Sequence, residues 1–329
     1  MTAKKLFPAL FLATMLCASA VLKAQNSLPN MVFVEAGTFT IGAPTQNAVN
    51  PAVEAVPTSP VSVTLTRSFY MSDTPITQAQ FNFVMAYNDP NYVPPFGFVQ
   101  GGINASAVSG LDTSAHPAER VNWYHAIAFA NKLSLIEGRT PVYSVLIDSV
   151  EIDWANLPFS AIPLSRNADW DAVTKNLDAD GFRLPTEAEW EFSARGGRLS
   201  ESAQGRGLDF HFSNGNDGSR VWTNANAGRR THPVRQFPPN ALGLYDMSGH
   251  VWEWVWNRWY RSNSGGTDPL GPDADGLTRG VDRTFRGGEW NFSPANSRVS
   301  IRNSREPMHR FNNVGFRVVK TATSCAQAN

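Results

Sequence analysis

The residues best placed to do chemistry stand in "FPPNALGLYDMSGHVWEWV", residues 237–255. Asp246 lies seven residues before Glu253, Trp252 and Trp254 flank the glutamate, and Gly243 and Gly249 interrupt the run. Carboxylates among glycine-freed backbone carbonyls are oxygen donors, and calcium takes six to eight of those. The same two acids could instead pair with arginines or cap turns, so the residues leave both readings open. Softer chemistry has less to work with. Of two cysteines, Cys17 lies near the start and Cys325 near the end. Six histidines (His116, His125, His211, His232, His250 and His309) show no His-x-x-His or His-x-x-x-His spacing. Two "DADG" tetrapeptides, 178–181 and 273–276, resemble pieces of calcium loops. After the first, Phe182 and Arg183 stand where an EF-hand needs a ligand and its glycine, so both tetrapeptides read as tight turns.

The chain has 329 residues, 42% of them hydrophobic and 17% charged, with ten tryptophans and twenty phenylalanines to fill a core. Its formal net charge is zero, which supplies no electrostatic reason to expect nucleic acid or an anionic membrane as partner. The N-terminus has Lys4 and Lys5, then an apolar run from Leu6 to about Ala20, then small residues. That is the build of a secretory signal peptide, too short to span a bilayer, with cleavage expected after Ala20 or Ala24. Bulky Leu16 before Cys17 disfavours lipoprotein processing. Cleavage after Ala24 removes Lys4, Lys5 and Lys23 and no acid, leaving 25 basic against 28 acidic residues, a net charge of −3. An exported protein, periplasmic or extracellular, then keeps Cys325 alone and forms no internal disulfide.

Elements must hold these residues in place. "MVFVEAGTFTIG" reads as strand, glycine turn and strand, and "VSVTLTRSFYM" alternates as one half-buried strand. "DTPITQAQFNFVM", "VNWYHAIAFANKLS" and "RLPTEAEWEFSARGG" read as helices. Thr77/Gln80 and Thr186/Glu189 have the spacing of capping boxes, and Gly196 ends the third helix. Regions 86–118, 146–180 and 198–235 lack periodicity. The expectation is one α+β domain over 29–320 with little regular structure, after a leader at 1–24 and before a polar tail at 321–329.

Seven motifs, "FVEAGTFTIG", "ITQAQF", "VNWYHAIAFANKLS", "GFRLPTEAEWEFSARGG", "FPPNALGLYDMSGHVWEW", "FRGGEWNFSPANSR" and "NNVGFRVV", occur in the order and spacing of the sulfatase-modifying-factor family. The chain resembles that family, whose best-known member is the formylglycine-generating enzyme, from about residue 29 to 320. The resemblance implies a compact fold related to C-type lectins, with structural calcium. It further implies that calcium takes the Asp246 and Glu253 side chains and the Gly249 and Val251 carbonyls. The two tryptophans would then point into the core. A second calcium position of the family maps to "TNANAGRRTHPV", with Asn226 as the best match. That stretch carries no acid, and no second ion is expected.

The resemblance also locates an absence. The formylglycine-generating enzyme oxidises a substrate cysteine with copper held by two cysteines shortly after a "GGS" motif. Here those positions are Phe292 and Ser297, and Glu289 replaces the motif's serine. Cu(I) needs thiolate or thioether ligands, so no copper is expected. What remains is polar: Glu289, Asn291, Arg298, Arg302, Arg305 and Asn313. Glu289 could be neutralised by Arg298 or Arg302, touch a ligand, or act as an acid–base group. The helical domain that brings iron-binding histidines to the family's sulfoxide synthases is not expected here. The expected function is an exported, calcium-stiffened module binding a protein, peptide or glycan; the alternative is an exported oxidoreductase with altered chemistry on a peptide-like metabolite.

Overall fold

The computed structural model describes residues 27–42, 60–95, 111–199, 211–260, 262–271 and 281–322. The expected leader, the second DADG tetrapeptide, both cysteines and the tail from 323 lie outside these. Four strands, β1 (Met31–Val34), β4 (Phe69–Ser72), β15 (Val319–Thr321) and β9 (Phe182–Arg183), form an antiparallel sheet in that order. A second sheet runs β13 (Arg302–Arg305), β12 (Arg283–Arg286), β10 (Trp252–Arg258), β14 (Val314–Phe316), with only β10 and β14 parallel. The third joins β11 (Gly266–Thr267), β3 (Val61–Leu65) and β2 (Gly37–Ile41). Two ribbons remain, β5 (Tyr143–Ser144) with β8 (Thr174–Lys175), and β6 (Leu146–Ile147) with β7 (Val150–Glu151). The helices are α1 (Gln78–Met85), α2 (Trp123–Ile136), the short α3 (Ala168–Asp171) and α4 (Glu187–Ala194). This is an α+β domain with few helices and mainly antiparallel sheets.

Both expected capping boxes form, at Thr77/Gln80 and Thr186/Glu189, and a third forms where Asn122 and His125 exchange bonds at the start of α2. "VSVTLTRSFYM" is not one strand. Its alternation is real, but Thr66 turns out of the ladder to bond Asp268 through its N–H, and β3 and β4 enter different sheets. The first DADG tetrapeptide is a turn, as expected; Asn176 accepts the Asp178 and Ala179 N–H groups.

α2 is buried from Trp123 to Ser134. A helix apolar all round belongs in a core rather than on a surface. Phe129 stacks on Phe81 of α1 and meets Phe316 of β14 edge-on. Each such side chain contributes about 1.5–3 kcal/mol when fully buried. Asn131 accepts from Val142 and Tyr143 and donates to the Tyr143 carbonyl. His125 accepts the Asn122 N–H and packs on Phe159, which gives it a structural place.

The carboxylates of α4 tie the sheets together. Glu187 accepts from Arg302 and Arg286, Glu189 takes Arg183 in a two-point bond, and Glu191 bridges Arg286 and Arg195. Every one of these side chains is buried. Burial alone would raise the Glu191 pKa, but Arg195 and Arg286 hold it below the ordinary value. That contribution to stability is present above pH ~4.5 and is lost as pH falls through the depressed folded-state pKa. Removing one member leaves its partner charged in the core. Arg286→Met is therefore expected to lower the unfolding free energy by about 3–5 kcal/mol, read as a shifted urea midpoint.

Candidate functional site

The loop before β10 is clamped from two sides. The Gly249 N–H donates to the Gly287 carbonyl at 2.7 Å and the His250 N–H to the Trp222 carbonyl at 2.9 Å. At φ +70° Gly249 leaves no room for a side chain: a Cβ would lie 2.3 Å from the Trp222 carbonyl oxygen. Trp252 and Trp254 are buried, and Trp254 donates its indole N–H to the Val121 carbonyl.

The two acids of this loop have partners within the chain. Glu253 Oε2 accepts from Trp190 Nε1 at 2.7 Å and Arg317 Nε at 2.6 Å, and Oε1 accepts from Arg317 Nη2 at 2.8 Å. Asp246 Oδ2 accepts the Arg235 N–H, while among the described residues its Oδ1 has only His250 Nδ1, at 3.4 Å. A carboxylate offers about four acceptor sites. Glu253 Oε1 and Asp246 Oδ1 therefore keep acceptor capacity.

The second part of the site follows β12. Gly288, at φ +80°, brings the backbone so close to Ser297 that a Cβ would lie 2.5 Å from both its Cα and Oγ. Glu289 comes next and is fully buried. Its Oε2 accepts the Asn291 N–H, and the Asn313 side chain also bonds the carboxylate. Glu289 Oε1, Ser297 Oγ and Asn313 Oδ1 are buried with no hydrogen-bond partner among the described residues. Burial outweighs the two bonds and raises the Glu289 pKa to about 7. A protonated carboxyl is a hydrogen-bond donor as well as an acceptor. Phe292 packs its ring edge-on to Trp252 at the margin of the main core. Neither it nor the buried Ser297 hydroxyl supplies a thiolate.

Of the two arginines expected to neutralise Glu289, Arg302 is engaged elsewhere. Arg302 grips Glu187, donates to the Tyr260 carbonyl and lies 4.8 Å over the Trp259 ring. Arg298 is half-buried, which lowers its pKa, and Arg305 donates to the Ser304 carbonyl. Proximity in sequence misled for Arg302, whose guanidinium goes to Glu187 of α4. Asn291 is exposed and contributes its backbone. Asn226 closes a turn: Oδ1 accepts the Thr223 N–H and Nδ2 donates to the Ser219 carbonyl.

Sequence spacing gave no sign of a histidine group beside this loop. His232 stacks on Trp222 at 3.8 Å between centroids and gives its backbone N–H to His250 Nε2 at 3.0 Å. Accepting there places the His250 ring proton on Nδ1, toward Asp246. His116 bonds Thr231 through Nδ1; burial, with His250, His232 and Arg230 nearby, lowers its pKa to about 4. Residues 116, 232 and 250 meet only through tertiary folding.

The model of the "Sulfatase-modifying factor enzyme 1-like domain" family matches residues 18–322. The chain belongs to the sulfatase-modifying-factor family. A "Chaperone protein LppX" of Paenibacillus barcinonensis is 31% identical over 265 residues, 72% of this chain and 78% of that one. The formylglycine-generating enzyme of Streptomyces coelicolor is 28% identical over 318 residues, 90% and 91% of the two chains. The solved structure of "Treponema denticola variable protein 1" superposes with a TM-score of 0.70 at 32% identity, covering 89% of this chain and 95% of that one. This family member has a formylglycine-generating-enzyme-type fold, and its Glu289 loop holds a buried carboxyl.

That carboxyl has a measurable signature. A folded pKa raised above the unfolded value of about 4.5 means that stability is fully present below pH ~4.5 and is lost as pH rises through about 7. Glu289→Gln removes the loss. The variant and wild type should differ little at pH 4.5, with the variant gaining up to about 3 kcal/mol by pH 8 in urea denaturation.

Proposed function

We propose that this family member is an exported binding module stiffened by calcium, without formylglycine-generating activity. The carrying observation is the pair Phe292 and Ser297: one ring in the core margin and one buried hydroxyl where the catalytic mechanism needs two thiolates. The N-terminal lysines and apolar run support export. Among the described residues no helix is long and apolar enough to cross a membrane. Binding draws support from the β6–β7 ribbon and the segment that follows it, which present Leu146, Ile147, Val150 and Leu164 to solvent. The relative named as a chaperone carries a name that implies protein contact, consistent with a protein or peptide ligand here. Calcium belongs to the same reading, on Asp246 Oδ1, Glu253 Oε1 and the Gly249 and Val251 carbonyls.

A second reading rests on Glu289. A buried carboxyl with a pKa of about 7 is suited to moving a proton near neutral pH, so an altered reaction on a peptide-like metabolite would use it as general acid or base. Glu289→Gln would then abolish turnover while leaving ligand binding in place.

Two measurements test the main reading. A peptide with Cys-x-Pro-x-Arg, incubated with the protein, copper and oxygen, should keep its cysteine by mass spectrometry; conversion to formylglycine would refute the proposal. Chelation with EGTA should lower the melting temperature by several degrees, with calcium restoring it, because a ligand bound only to the native state stabilises it. An unchanged melt and no calcium by elemental analysis would remove the ion from the account.

A further inference from the structure

A cavity of about 180 Å³ opens away from the Glu289 loop, where β3, β9, α4 and the segment after β11 converge. It is smaller than the roughly 300–1,000 Å³ pockets that take drug-sized molecules. Its walls are Leu65, Leu177 and Leu270, brought from three separate parts of the chain. Its floor is the Arg183–Glu189 pair, whose charges cancel through two 2.7 Å bonds. The rim is different. Arg67 and Asp268 both line it, and both are exposed.

These two rim charges are held in position rather than consumed by each other. Arg67 Nη1 is fixed by the Leu177 carbonyl at 3.0 Å and Asp178 at 2.9 Å, which leaves Nε and Nη2 as donors. Asp268 takes one bond on each oxygen, from the Thr66 N–H and hydroxyl, which leaves acceptor capacity on both. Thr66 links the two, standing before Arg67 in the chain and under Asp268 in space. An anion alone would meet Arg67 but also Asp268 and Asp178; a cation alone would meet Asp268 but also Arg67. A molecule carrying both charges on one carbon satisfies both, with an aliphatic tail left for the leucine walls.

We infer that this cavity binds a free aliphatic α-amino acid, its carboxylate on Arg67, its ammonium on Asp268 and its side chain among Leu65, Leu177 and Leu270. The site goes beyond the binding-module reading and stands whether or not the Glu289 loop is catalytic.

Isothermal titration of the mature protein with L-leucine tests it. Leucine should bind, while 4-methylpentanoate, which lacks the ammonium, 3-methylbutylamine, which lacks the carboxylate, and glycine, which lacks the side chain, should each bind at least about tenfold more weakly. Arg67→Gln and Asp268→Asn should weaken leucine by about tenfold each, with unchanged circular dichroism because both side chains are exposed. Leu177→Asp should abolish binding. Absence of leucine binding at about 10 mM would overturn the proposal. So would binding that is equal for leucine and its three analogues, or that survives all three substitutions. The analogue series uses wild-type protein, so it decides the matter even if a variant misfolds.

Discussion

The structure depends on one short helix carrying three glutamates that all point into the protein. Glu187, Glu189 and Glu191 stand on α4, where an amphipathic surface helix would place at least some of them in water, yet all eight of its residues are buried. Buried carboxylates persist only when paired and hydrogen-bonded. Here the partners come from β9, β12 and β13 and from the helix end, so the helix cannot move without stranding charge in several elements. Glu253 and Arg317 repeat the device one strand further, with Trp190 of α4 donating to the same carboxylate. Ion pairs of this kind add little net stability over apolar packing, but they penalise mispairing heavily. In a chain with short strands and long irregular segments, that penalty selects one arrangement.

Backbone contacts likewise hold the shape of the site region. The Glu289 loop is fixed by backbone contacts, with Gly249 bonded to Gly287 and Trp290 to the His250 carbonyl. None of these bonds needs a particular side chain at 289, 292 or 297. Phenylalanine at one position extends the aromatic core toward Trp252, and serine at the other fills the space under Gly288. The frame and the reaction are separable, which is what allows a fold to serve functions unlike those of its relatives.

How much was legible in the sequence follows the range of the interactions. Capping boxes at Thr77 and Thr186 span three residues and read directly. The seven motifs identified the family because their order is a property of the chain itself. The break in "VSVTLTRSFYM" was not legible, since it depends on Asp268, about two hundred residues away. Arg302 read as a neighbour of Glu289 because the two are close in sequence, whereas strand geometry sends it to Glu187. The meeting of His116, His232 and His250 left no pattern at all, because it forms across three loops. Glu189 shows both regimes at once: its capping role was local and visible, its bond to Arg183 on β9 was not.

The central claim is that the pocket has exchanged paired thiolates for a buried carboxyl, and Cu(I) competition tests it most directly. Titrating the mature protein with Cu(I) held by a chromogenic chelator asks whether the pocket can withdraw the metal. The account predicts no withdrawal by wild type, because Phe292 offers no donor and Ser297 only a neutral hydroxyl. One equivalent of Cu(I) taken from the chelator and lost on Glu289→Gln or Ser297→Ala would contradict it, and would place an oxidative metal centre where the structure shows oxygen atoms alone.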